Sequence, residues 1–135
     1  MVNINFKLEN KIKSVKLKKS TIITGIVMLF TFGTFLIFSD NLLRTLSLYL
    51  LLGIAYLYNT KITIIYIIVT ALSGTFAEIF LMKFAKNTWS YSKPSFFGVP
   101  TWLTPLWGIV CITTLEIYTL TNDFNYLITN NNNSY

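Results

Sequence analysis

The chain has no histidine, one cysteine and three prolines among 135 residues, and only 12% of its residues are charged. Without histidine there is no imidazole to serve as a general base near neutral pH, to ligate zinc or to hold a haem iron. Cys111 stands alone, so no intrachain disulfide can form and thiol usage says nothing about compartment. There is no Gly-rich phosphate loop and no cluster with metal-ligand spacing, so no cofactor or metal is indicated. The shortage of charge excludes most. A soluble domain carries about 25% charged residues, and this chain lacks the polar surface to stay dissolved.

What is present is apolar. Hydrophobic residues make up 53%, aromatics 16%, and the mean hydropathy is +0.58. The length allows one domain. Four apolar runs stand out, at about residues 21–38, 42–58, 62–82 and 102–120. A helix of about 20 apolar residues crosses a hydrocarbon core of about 30 Å. The expected fold is therefore all-α, a four-helix transmembrane bundle, with the lipid bilayer as its surroundings. Asp40 and Asn41 mark the first turn; Asn59, Thr60 and Lys61 mark the second. Arg44 interrupts the second run one turn from its start, where its stem can reach the interface. A three-span arrangement, with residues 42–58 re-entrant, is the alternative.

Residues 1–20 are polar and basic, and two periods compete within them. Leu8, Ile12 and Val15 suit a helix on the headgroups, whereas Val2, Ile4, Phe6 and Leu8 alternate as in a strand. We read a loosely ordered tail. The run that follows is longer than a signal-peptide core, and no small-residue cleavage site follows it, so it reads as a retained span. At the other end, residues 122–135 include Asn130 to Asn133 and read as a polar tail without fixed structure.

Charge placement sets orientation. The net charge is +6, with six lysines before the first run: Lys7, Lys11, Lys13, Lys16, Lys18 and Lys19. With four spans, those six and Lys61 face Arg44, Lys83, Lys86 and Lys93 across the membrane. Seven against four places both termini in the cytoplasm. The basic excess belongs to this asymmetry and not to nucleic acid, since no folded basic domain accompanies it.

Two carboxylates fall inside spans. Glu78, in the third, follows Ala71 and Gly74 at helical spacing, and Ser73 with Ala77 adds a small-xxx-small pair. Small faces permit close helix approach, which would turn Glu78 into the bundle. It reads either as a structural group near the outer interface, paired with a nearby lysine or a backbone donor from the loop, or as a transport or catalytic group. Glu116, with Thr113 and Thr119 beside it, lies near the inner end of the fourth span, where a solvated interfacial carboxylate is the bland reading. At about 1.5 Å per residue, Glu78 stands roughly 24 Å above the inner start of its span, and Glu116 roughly 21 Å below the outer start of its own. The two cannot form one acid–base pair.

The most distinctive segment joins the third and fourth runs. It holds all three tryptophans (Trp89, Trp102, Trp107) and all three prolines (Pro94, Pro100, Pro105), with Tyr91, Phe96 and Phe97 between them. One reading is an interfacial aromatic belt, with the prolines stiffening a loop and Pro105 tolerated in the first turn of a helix. The other is a rigid aromatic loop folded over the bundle as a lid or partner-binding surface. The sequence TWSYSKPSFFGVPTWLTPLWG, with AEIF before it, resembles a pattern in small uncharacterised multi-pass membrane proteins: W-x-Y-x-x-P, a spacer, then P-x-W-L-x-P-x-W. The resemblance covers about 30 residues and implies that Glu78 and the Trp/Pro segment form one unit. It implies no activity.

Three classes of function follow. The leading one is a non-catalytic structural, assembly or interaction protein, self-associating or bound to another membrane protein. The second is an oligomeric small transporter or channel subunit working through Glu78. Its length and span count are similar to those of the small multidrug-resistance exporters, but their essential carboxylate lies in the first span and here that span has none. The third is an enzyme on a lipid-like substrate, for which Glu78, Tyr91 and Glu116 would supply acid–base groups. No nucleophile–base spacing supports it.

Overall fold

A computed structural model describes residues 2–59, 62–85 and 89–132, with side chains described for 19–59, 62–85 and 89–125. Four helices follow one another: α1 (Val2–Ile37), α2 (Asn41–Tyr58), α3 (Ile64–Phe84) and α4 (Leu103–Asn132). Each contains a stretch long and apolar enough to cross a membrane: Lys19–Ile37, Asn41–Tyr58, Ile64–Phe84 and Leu103–Asn125. α2 is one continuous helix over its 18 residues.

Two expectations need correction. The basic N-terminal stretch continues α1 back to Val2, and the Asn-rich end continues α4 to Asn132. Both are helical where loose tails were expected. Once an apolar span has nucleated a helix, each added residue gains a hydrogen bond without a new nucleation cost, so helices run past the segments that anchor them.

The boundaries between helices have local causes. Asp40 caps α2, its carboxylate accepting from the N–H groups of Leu42 and Leu43 at 2.9 and 3.0 Å. Arg44 closes the other side of the same turn. Its guanidinium donates to the Phe38 carbonyl at 2.5 Å and to that of Phe35 at 3.4 Å, capping the open end of α1. At the far end of α2, the Asn59 N–H bonds the Ala55 and Tyr56 carbonyls.

α4 is the hub, packing against α1, α2 and α3, while α3 packs chiefly on α4. The core runs along α4 through Ile109, Cys111 and Ile112, with Val27, Leu48, Ala55 and Ile67 around it. The closest approach is at Gly74, where an added Cβ would lie 2.3 Å from the Trp107 ring. On the other flank Gly108 gives room to Leu52 and Ile67. The outward face of α3 is left uncovered: Ile65, Ile68, Val69, Leu72, Phe76 and Phe80 are exposed. Such a face is unfavourable in water and suited to lipid.

Candidate functional site

The two carboxylates sit at opposite ends of the bundle. Glu116 is buried, at 5% exposure. Its Oε1 accepts from Ser20 Oγ at 2.8 Å and Thr21 Oγ1 at 2.7 Å, and its Oε2 accepts from Asn59 Nδ2 at 3.0 Å. One carboxylate thus ties α4 to the start of the α1 span and to the C-cap of α2. Among the described residues these three donors are all neutral. The solvated interfacial reading of Glu116 is corrected: α1 and Asn59 close over it, and hydrogen bonds replace the water.

Glu78 is half-buried and faces the loop before α4. Its Oε2 accepts from Trp89 Nε1 at 3.0 Å and Tyr91 OH at 3.4 Å. Among the described residues the donors are aromatic side chains, neither the lysine nor the loop backbone group expected from the sequence. The Tyr91 phenol is pushed above its ordinary value, first by burial and then by the negative charge of Glu78. The small residues near Glu78 divide between two faces. Ala71 and Gly74 serve the contact with α4, whereas Ser73 and Ala77 are exposed.

The Trp/Pro segment folds back onto the α1–α2 turn. Asn41 is the pin: its Nδ2 donates to the Lys93 carbonyl at 2.6 Å and to Ser95 Oγ at 3.4 Å, while its Oδ1 accepts from Trp102 Nε1 at 3.2 Å. Thr45 and Thr101 share a hydrogen bond of 2.8 Å close by. The Trp102 ring stands edge-on to Phe35 at 4.8 Å and to Tyr91 at 5.6 Å. Between Phe96 and Val99 the chain reverses in a tight turn, with paired hydrogen bonds of 2.9 Å. Phe97 and Gly98 both have positive φ, 47° and 88°, the backbone of a type I′ turn. Glycine suits the second position; Phe97 in the first carries strain, and its ring, like that of Phe96, points outward and is exposed.

The three tryptophans have three roles. Trp89 is exposed and binds Glu78; Trp102 pins the loop; Trp107 lies against Gly74 inside the α3–α4 contact, its Nε1 buried without a hydrogen-bond partner among the described residues. Trp107 is thus held by helix packing. Of the prolines, Pro94 is exposed, Pro100 is buried with its carbonyl accepting from Leu103 N–H at 3.1 Å, and Pro105 is buried in the first turn of α4. Sequence reasoning missed Ser20, Thr21, Asn41 and Asn59 as site residues. The asparagines had registered only as turn markers.

Among the described residues no group of three or more Cys, Asp or Glu comes together in a way that would hold a metal ion. Comparison with family models, with curated proteins and with solved structures finds no match to this chain.

Proposed function

We propose that the chain is an integral membrane protein that crosses the bilayer four times, with both termini cytoplasmic, and acts without a catalytic step in membrane-protein assembly. The observation that carries the assembly reading is the outward face of α3. That helix packs chiefly on α4 and leaves small Ser73 and Ala77 exposed among large apolar side chains. Small residues one turn apart let a second helix approach closely within lipid. The lysine asymmetry supports the orientation: with four spans, seven Lys and Arg residues are expected on the side of the termini and four on the side of the Trp/Pro loop.

Transport through Glu78 has less support. Its Oε2 is engaged by two loop side chains, and a cleft lined by Asn59, Ile62, Tyr66, Leu115 and Thr119 lies at the opposite end of the bundle.

The test is oxidative cross-linking in native membranes. With Cys111→Ser and Ser73→Cys combined, α3 carries the single thiol. A dimer-sized product, or a heavier adduct with another membrane protein, is the expected outcome. A thiol that forms no adduct at any oxidant concentration, while a water-exposed control cysteine reacts, would contradict the assembly role.

A further inference from the structure

Beside Asn59 the helices leave a cleft of about 370 Å³, lined by Asn59, Ile62, Tyr66, Leu115 and Thr119. Small-molecule sites span about 300–1,000 Å³ and are mostly apolar with a few placed polar groups. Ile62, Leu115 and the Tyr66 ring supply the apolar wall. Of the polar groups in the lining, Asn59 and Thr119 offer acceptors and Tyr66 carries a hydroxyl that can donate or accept. The Asn59 Nδ2 donates to Glu116 Oε2 at 3.0 Å, which fixes the amide orientation and leaves its Oδ1 without a partner among the described residues. The Thr119 hydroxyl already donates to the Leu115 carbonyl at 2.8 Å, so only its lone pairs remain. Behind Asn59 stands the Glu116 carboxylate, whose hydrogen-bond donors among the described residues are neutral. An amide that donates to an anion is polarised, and its carbonyl oxygen becomes a stronger acceptor.

We propose that this cleft binds a single-chain amphiphile with a hydrogen-bond-donating head, an alkylammonium in preference to an alkanol. The head donates to Asn59 Oδ1, and the chain lies along Ile62, Tyr66 and Leu115. A fatty carboxylate has no donor for Asn59 Oδ1 and, among the described groups, would face the lone pairs of Thr119 and the Glu116 carboxylate, so it competes least. The inference rests on the bilayer placement proposed above, because the ligand enters sideways from the leaflet.

The test uses the full chain in phosphatidylcholine vesicles, photolysed with a diazirine-bearing dodecylammonium and mapped by mass spectrometry. Labelling of Tyr66 and Leu115 is expected, competed away by unlabelled dodecylammonium, less by dodecanol and not by dodecanoate. Thr119→Trp fills the cleft without removing a hydrogen bond to Glu116 and should lower the competed labelling tenfold or more. Glu116→Gln keeps an acceptor for Asn59 but drops the charge, and should weaken dodecylammonium competition while sparing that of dodecanol. Competition by dodecanoate equal to that by dodecylammonium, or no competed label in the wild type, would overturn the site whatever the variants do. A headless diazirine alkane keeps the two readings apart. If it labels Ile68 and Phe76 on α3 while the cleft shows no competed label, the site alone falls. If it fails to label α3, the bilayer placement falls with it.

Discussion

Glu116 and Glu78 are both carboxylates within apolar helices, yet their surroundings differ in kind. Glu116 is buried and accepts from side chains of two other segments, 57 to 96 residues away in sequence. Glu78 is half-buried and accepts from the loop that follows its own helix, 11 and 13 residues on. The first holds helices to one another; the second holds a loop to a helix end. A buried acceptor stripped of its role leaves donors stranded, whereas a partly exposed one can be replaced by water. The cost of mutation should follow that order.

The largest effect is expected for Glu116→Ala, which removes the acceptor of Asn59, Ser20 and Thr21 together. A loss on the order of 3 kcal/mol is expected, read as a lower midpoint of thermal unfolding in detergent micelles. Glu116→Gln, which keeps an acceptor oxygen, should lose clearly less. Gly74→Ala comes next. The new Cβ would meet the Trp107 ring at 2.3 Å, and overpacking of this kind costs about 1–3 kcal/mol. The paired variant Gly74→Ala with Trp107→Leu should recover part of the loss, as a double-mutant cycle would show.

Asn41→Ala should cost about 1–2 kcal/mol and act locally. Amide hydrogen exchange around Lys93 to Trp102 should accelerate, while the centre of α4 stays protected. The smallest effect is expected for Glu78→Gln, which leaves the amide oxygen to accept from Trp89 and Tyr91. Its signature is in titration. The raised Tyr91 value means that the fold favours the neutral phenol, so its contribution is complete below the ordinary tyrosine value of 10.0 and is lost as pH climbs through the raised one. Ultraviolet titration of the tyrosines should show Tyr91 moving part of the way back in Glu78→Gln. Burial, the larger cause, remains. Should Glu78→Gln destabilise as much as Glu116→Ala, the contrast between the two ends is wrong.

The helices were legible because an apolar run needs no partner to be recognised, and Asp40 and Asn59 break the runs chemically. The Glu116 cluster was not. Ser20 and Thr21 follow a lysine run and Asn59 stands in a turn motif, and no local pattern says that the three converge on a residue in α4. The α3 pattern was half legible: small residues announce close packing, but only the rotation of the helix decides that Gly74 meets Trp107 while Ser73 and Ala77 face outward. The helix extensions were harder to read: at the N-terminus the helical period of Leu8, Ile12 and Val15 competes with a strand-like alternation, and the Asn-rich end has no apolar period to mark it.

The claim beneath all of this is that the Trp/Pro loop and the end of α4 lie on opposite faces of a bilayer. Single cysteines at Ser95 and at Asn122, in a Cys111→Ser background, decide it in sealed cells treated with a membrane-impermeant maleimide. The account predicts that Ser95→Cys reacts at once and Asn122→Cys only after the membrane is permeabilised. Equal reaction of both thiols before permeabilisation would contradict it.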